Sequence, residues 1–134
     1  MQTKKTALLA VALMVWGGSV LAQQNGPAGT RKISEYEQDY DEGKPEGDPK
    51  IRLEQVFDAN GLLIEETEYK DGKMDRIIAY QYDKTNHKIK EVEKNTAGKI
   101  TRTTDYKYAN GLKTERTSTN SDGQIKSKRT YKYE

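Results

Sequence analysis

The sequence predicts an all-β protein, an antiparallel meander of repeated β-hairpins in which seven or eight strands form one extended or curled sheet. Three observations predict this fold class. A unit of about 25 residues recurs along the chain, turn pairs such as Asn-Gly and Asp-Gly separate the segments, and apolar residues alternate with polar ones at the two-residue period of a strand. No segment beyond the N-terminal apolar run has a helical period, so a single class of element is expected.

The repeat starts at a glycine turn and ends in Tyr-x-Tyr. Its copies are residues 72–82, 98–108 and 123–133, and each carries an apolar residue two positions after its glycine. The second tyrosines of successive copies, Tyr82, Tyr108 and Tyr133, are 26 and 25 residues apart. A constant period of this length indicates a repeat architecture.

The N-terminus has the three-part layout of a secretory signal peptide. Lys4 and Lys5 precede an apolar run at 7–15, and small residues lead to Ala22. The run is too short to span a bilayer, which takes about 20 residues. We therefore predict a signal peptide at 1–22, cleavage after Ala22, a periplasmic or secreted protein, and no stable membrane insertion after cleavage.

The composition of residues 23–134 predicts a thin core. Only 15 of these 112 residues are Ile, Leu, Val or Phe, and there is no cysteine for a disulfide. The 21 basic and 21 acidic residues balance, but residues 23–73 carry a net charge of −6, whereas 74–111 and 112–134 carry +3 each. No concentrated basic region of the kind that binds nucleic acid is present, so no nucleic-acid partner is expected.

Residues 23–49 are predicted to be a flexible leader with one possible edge strand at 33–40. Residues 41–49 contain Gly43, Pro45, Gly47 and Pro49, which predict a loop. The repeat domain is predicted at 50–134, where no proline occurs, as continuous strand ladders require. Its turns are expected at 58–61, 71–72, 83–87, 95–98, 110–111 and 120–123.

Several segments resemble known repeat families. Tyr82-Asp83 followed by Ile89, and the run at 56–62, resemble the tyrosine–aspartate (YD) repeats of Rhs-type proteins, and the run at 69–74 is similar to MORN-like repeats of small exported bacterial proteins. The chain departs from the YD pattern at Ala109 and Glu134, which follow its later tyrosine pairs. The resemblance implies a hairpin-repeat architecture, in which such repeats build shells, scaffolds or binding surfaces rather than catalytic sites.

The residue types for catalysis are scarce, so no enzyme, cofactor or metal site is predicted. The single histidine, His87, lies in a predicted turn. Glu66 and Glu68 share a strand face, but acid–base chemistry needs two carboxyl groups across a cleft, one of them with a raised pKa. Residues 58–61 match only a fragment of a calcium loop, and turn chemistry explains them.

The candidate site is a tyrosine ladder. Tyr80, Tyr106 and Tyr131 form one register and Tyr82, Tyr108 and Tyr133 a second, with Arg76, Arg102 and Arg129 at the same strand parity. Aromatic rings interleaved with basic donors on a sheet can stack sugar rings, bases or peptide side chains. The alternative is that the tyrosines replace a conventional core, with gaps of roughly 10 Å between them filled from near Leu62, Ile89 and Leu112.

We therefore expect an exported, non-enzymatic binding or scaffold module with an unknown protein or glycan partner. Two alternatives stay open: a carbohydrate-binding surface that uses the tyrosine ladder, and an inhibitor or immunity-type partner of a secreted protein that uses the acidic N-terminal half. Open sheet edges also predict self-association.

Overall fold

The computed structural model describes residues 31–134, which form eight β-strands. The strands are β1 Arg31–Asp41, β2 Lys44–Phe57, β3 Leu63–Lys70, β4 Lys73–Tyr82, β5 Lys88–Asn95, β6 Ile100–Ala109, β7 Leu112–Asn120 and β8 Ile125–Thr130. The predicted signal peptide lies outside the described residues. No helix among residues 31–134 is long and apolar enough to cross a membrane.

The strands form one open sheet in the order β1 to β8, and every neighbouring pair is antiparallel. The predicted meander of hairpins is confirmed. Within residues 31–134, extensive contacts join only strands that are consecutive in sequence, and no second layer packs on either face of the sheet.

The sheet has no hydrophobic core within residues 31–134. No apolar side chain there is buried, and the four buried residues are Gln38, Thr67, Thr104 and Ser118. Thr104, only 2% exposed, lies in β6 between its cross-strand partners Glu91 and Ser118. Both faces therefore meet water, a thinner arrangement than the composition alone predicts.

Two kinds of turn join the strands. Two-residue turns with positive φ at both positions follow β1, β3 and β6, as at Asn110-Gly111, where φ is 52° and 76°. This is the geometry of the tight hairpin turn, which Asn-Gly and Asp-Gly favour. The remaining four connections begin with an Asp or Asn whose side chain accepts hydrogen bonds from backbone N–H groups two and four residues later. All the predicted turns from residue 58 onward are confirmed.

The predicted loop at 41–49 is wrong. β2 begins at Lys44, after a two-residue turn, and Pro45 pairs with Tyr40 of β1. The prolines are tolerated because the pairing is irregular here: Glu37 faces Lys50 and Asp39 faces Glu46, so between these two pairs β2 contains two more residues than β1. Such bulges are among the few places where a sheet accepts proline.

Gln38 closes this bulge. Its amide Nε2 donates to the carbonyl oxygens of Asp39, Glu46 and Gly47 at 3.1, 3.3 and 3.2 Å. Its side chain is buried, because it fills the space that the displaced backbone leaves. The predicted strand at 33–40 is thus part of a longer edge strand that pairs with β2 over most of its length.

Candidate binding surface: the tyrosine face

One face of the sheet carries all the predicted site residues, and we call it the tyrosine face. Across β4 and β5, Tyr80 lies opposite Glu91, and across β6 and β7, Tyr106 lies opposite Arg116. The remaining site residues follow at two-residue steps, which keep them on the same side: Arg76, Tyr82, Arg102, Tyr108, Tyr131 and Tyr133. The backbone N–H of Tyr131 donates to the carbonyl of Thr114 at 3.0 Å, which extends the pairing beyond β8.

Lysines separate the first tyrosines of the repeats. The Lys88 Nζ lies 5.1 Å from the ring centroid of Tyr80 and 5.4 Å from that of Tyr106. The Lys113 Nζ lies 5.0 Å from the Tyr106 centroid and 5.9 Å from that of Tyr131. All four distances suit a cation–π contact, so Tyr and Lys alternate from β4 to the segment that follows β8.

These lysines occupy the gaps for which Ile89 and Leu112 were predicted. Register shifts between Gln81 and Tyr82, and between Lys107 and Tyr108, place an extra residue at the start of β5 and β7. A bulge turns one side chain to the other face, and here it brings Lys88 and Lys113 onto the tyrosine face. Leu112 is 49% exposed instead. The spacing of 25 residues between the two lysines is the sequence signal that would have identified them.

The second tyrosine of each repeat closes its own hairpin. The hydroxyl groups of Tyr82, Tyr108 and Tyr133 donate to the carbonyl oxygens of Leu63, Lys88 and Lys113 at 2.8, 3.0 and 2.8 Å. In each case the acceptor belongs to the bulged start of the neighbouring strand. Tyr133 is the most accessible, with 56% of its surface exposed, because no strand lies beyond it within the described residues. The three hydroxyls therefore have a structural role.

The arginines of the tyrosine face are held by glutamates of the neighbouring strands. Arg76 donates from Nε and Nη2 to the two carboxylate oxygens of Glu68 at 2.7 and 2.9 Å. Arg102 donates to Glu93 at 2.6 Å, and Glu93 also lies 3.7 Å from Arg76. This chain of charges crosses β3 to β6. The guanidinium groups stay accessible, with the Arg76 and Arg102 side chains 39% and 52% exposed. The third arginine, Arg129, lies directly opposite Arg116.

Glu91 is the carboxylate that contacts both Lys88 and Tyr106 on the tyrosine face. Burial acts to raise its pKa, but the Lys88 ammonium and the Tyr106 hydroxyl, which donates at 2.8 Å, outweigh this and hold the pKa below its ordinary value. Burial raises the pKa of both Tyr80 and Tyr106. The carboxylate is therefore ionised and the phenols are neutral at neutral pH, so Glu91 balances the charge of Lys88.

The residues considered for catalysis lie in open positions. Glu68 is bound by Arg76, and Glu66 accepts a hydrogen bond from Gln55 at 2.8 Å. His87 stacks on Tyr108, with ring centroids 4.7 Å apart, and its Nδ1 lies 2.7 Å from the Thr85 hydroxyl. No group of three potential metal ligands occurs within residues 31–134.

The opposite face carries two compact ion clusters. Glu115 lies 2.9 Å from Lys128 and 3.0 Å from Lys107, and these ammonium groups lower its pKa to about 2. Glu54 accepts from Lys32 and Tyr69 at 2.6 and 2.7 Å, which lowers its pKa. A shallow depression beside Glu115 is lined partly by Ile89, Asp105 and Ile125. It is open to solvent and holds no shielded pair of carboxyl groups.

No family model and no curated protein matches this chain. One solved structure, titled "Crystal structure of GtfA/B complex bound to UDP and GlcNAc", aligns with 81% of this chain at 11% identity and a TM-score of 0.35. The alignment spans 25% of that chain. A structural similarity with so low a TM-score and sequence identity supports no conclusion about fold or function.

Proposed function

We propose that this protein is an exported, non-enzymatic binding or scaffold module that acts through the surface of its sheet. The observation that carries the proposal is the single layer itself. Both faces of the sheet meet water, and charges on them are arranged in cross-strand ladders. A sheet that displays nearly all of residues 31–134 as surface is suited to contact a partner over a wide area.

The carboxyl groups support a non-catalytic role. Every carboxyl of residues 31–134 whose pKa departs from its ordinary value has it lowered; these are Glu54, Asp83, Glu91 and Glu115. A general acid at neutral pH needs the opposite shift. The lowered pKa values mark these groups as permanent charges, which give an interface specificity rather than chemistry.

Site-specific photo-crosslinking in cells that express the protein tests the proposal. A photo-reactive residue replaces Arg102, which projects from the tyrosine face and is half exposed. We expect a discrete adduct of higher mass. Its control carries the same residue at Lys94, whose cross-strand partner Ile77 lies on the opposite face. Absence of an adduct from Arg102, and from a further probe at Tyr133 on the same face, contradicts the proposal.

A carbohydrate-binding role for the ladder is the weaker alternative. Sugar rings stack on open aromatic faces, whereas lysine ammonium groups already lie over the rings of Tyr80, Tyr106 and Tyr131. Tyr133, at 56% exposed, is the aromatic residue of the ladder best placed to stack. Titration with neutral oligosaccharides, read by tyrosine fluorescence, tests this alternative, and a saturable change that Tyr133→Ala removes would favour it over a protein partner.

A further inference from the structure

The two edges of the sheet carry opposite charge. β8 contains three basic residues and no acidic one, and all six of its residues are exposed. β1 contains four acidic residues, Glu35, Glu37, Asp39 and Asp41. Within residues 31–134 each of these strands has a neighbour on one side only, so a row of backbone donors and acceptors is free along each edge.

Ion pairs within the molecule leave mainly acidic residues unpaired on β1 and basic residues unpaired on β8, among the described residues. The two basic residues of β1 are engaged with β2, because the Lys32 Nζ lies 2.6 Å from Glu54 and the Arg31 guanidinium lies 5.2 Å from the ring centroid of Phe57. Glu37 and Asp41 have no ion-pair partner within 4.0 Å among the described residues. On β8 the same is true of Lys126 and Arg129, whereas Lys128 pairs with Glu115. The unmatched charge is therefore acidic at one edge and basic at the other.

The topology makes the two edges geometrically compatible. Eight strands alternate in direction, so β1 and β8 run in opposite senses. If a second copy in the same orientation places its β1 beside β8, the new pair is antiparallel, like each of the seven pairs within the molecule. The meander would then continue across the junction with the tyrosine faces of both copies on one side.

We propose that this protein associates with itself head to tail, through antiparallel pairing of β1 of one copy with β8 of the next. The pairing is heterologous, so each added copy leaves one free acidic edge and one free basic edge, and growth continues in one dimension. The alternatives β1–β1 and β8–β8 place like charges in register, which opposes pairing. Lysines on an edge strand ordinarily prevent aggregation. Here the basic residues of β8 repel the β8 edge of another copy and attract its acidic β1 edge. The inference rests on the scaffold role proposed above, and specifies how the scaffold grows.

Sedimentation velocity of the purified protein across a range of concentrations tests the proposal. We expect the weight-average mass to rise at least about twofold at low salt and to return toward the monomer in high salt, since edge charges are solvent-exposed. A mass that stays monomeric at every concentration and at low salt overturns the proposal. The acidic β1 edge would then be a binding site for a basic partner protein.

Charge-reversed variants identify the surface. K126E/R129E makes both edges acidic, and E37K/D41K makes β1 basic, so that both edges are then basic. We expect each variant alone to be monomeric and an equimolar mixture to associate again, because each variant then offers the edge that the other needs. The double variant K84E/K99E changes the charge by the same amount as K126E/R129E, at exposed turn residues away from both edges, and should associate like the wild type.

Circular dichroism confirms that each variant keeps its β-structure. Association that persists in K126E/R129E alone, or a mixture that stays monomeric while both variants are folded, overturns the edge assignment. Either result leaves the proposed binding role intact, because the crosslinking probe at Arg102 reports on the face of the sheet and not on its edges.

Discussion

At the level of single residues, polar side chains provide the stabilising contacts that a hydrophobic core provides in other proteins. Tyrosine hydroxyls join strand ends, Glu93 links Arg76 to Arg102, and lysine ammonium groups lie over aromatic rings. Each contact is exposed to water and contributes little by itself, about 0.2–1 kcal/mol for a cross-strand pair. Stability must therefore come from repetition of many such contacts along the sheet.

The hydroxyl of Tyr108 provides a direct test. Tyr108→Phe removes its hydrogen bond to the Lys88 carbonyl but keeps the ring that stacks on His87. We expect the free energy of unfolding to fall by about 1 kcal/mol, the usual net value of one hydrogen bond. Urea denaturation measures it. The matched variant Tyr133→Phe should lose less unfolding free energy, since its hydroxyl is at the exposed end of the sheet. Equal losses would contradict the expectation that the less exposed hydrogen bond is the more stabilising one.

Two lowered pKa values predict acid sensitivity. Lys128 and Lys107 lower the pKa of Glu115 from 4.5 to about 2, and the Thr85 hydroxyl and the His87 backbone N–H lower that of Asp83 from 3.8 to about 2. Because the folded-state pKa values lie below the unfolded ones, this stabilisation is complete above the unfolded pKa and is lost as the pH falls toward the folded pKa. We expect the melting temperature to be level near neutral pH and to drop below about pH 5.

Substitution identifies the groups responsible for that drop. Glu115→Gln should lower the melting temperature at pH 7 and make its decline in acid shallower. Glu65→Gln serves as the control, because Glu65 is exposed and has no side-chain hydrogen bond or ion pair among the described residues. If both variants keep the wild-type pH profile, the ion cluster around Glu115 does not contribute to acid sensitivity.

At the scale of the element, the hairpin turn sets the register. In the turns at 58–62, 83–87, 95–99 and 120–124, the first residue is Asp or Asn and the fourth has positive φ. The side-chain oxygen satisfies two backbone N–H groups, as in an Asx turn. The fourth residue is glycine in three of the turns and Asn86 in the other, at φ 65°.

Exchange of the fourth residue tests this turn. Gly98→Ala places a Cβ at φ 77°, where no heavy atom lies within 4 Å of it, so only the backbone conformation is strained. We expect a loss of about 1 kcal/mol of unfolding free energy. Asn86→Gly should change it by less than about 0.5 kcal/mol, since both residues tolerate this conformation. Thermal melts compare them, and a neutral Gly98→Ala would show that the loop relaxes to another turn type.

At the scale of the whole molecule, the sheet is nearly one-dimensional. Each strand contacts mainly its two sequence neighbours, so the free energy of unfolding is close to a sum of hairpin terms and junction terms. In a single-layer sheet of this kind, no one cluster of side chains holds all the strands together, so its loss would not unfold the whole sheet. Its weakest parts are the edges, where a strand is paired on one side only.

Truncation tests that description. A chain that ends at Ala109 lacks β7 and β8 and also loses Lys113 from above the Tyr106 ring. We expect the remaining strands to keep their β-structure by circular dichroism and to melt at a lower temperature than the full chain. Deletion of β5 and β6 with their turn instead removes an internal hairpin, and should cost more because it also breaks two junctions. Complete loss of β-structure on terminal truncation would indicate one indivisible cooperative unit.

Most of the fold could be predicted from the sequence because local rules decide it. The turns at Asp71-Gly72 and Asn110-Gly111 follow from positive φ, and the tyrosine face follows from two-residue alternation. The bulges could not be predicted, because one inserted residue reverses the facing of every side chain before it. For that reason Lys88 lies above Tyr80, near where alternation places Ile89. The proline-containing segment of β2, whose composition predicts a loop, forms a strand because its pairing with β1 is irregular.

Spacing and backbone conformation are properties of neighbouring residues, so they predict the fold class, the repeat, the turn positions and the set of tyrosines and arginines that share a face. They do not predict that lysines rather than leucines lie between the tyrosines, that glutamates hold Arg76 and Arg102, or that both faces are exposed to water. Those outcomes depend on the pairing register across strands, which a single strand does not contain.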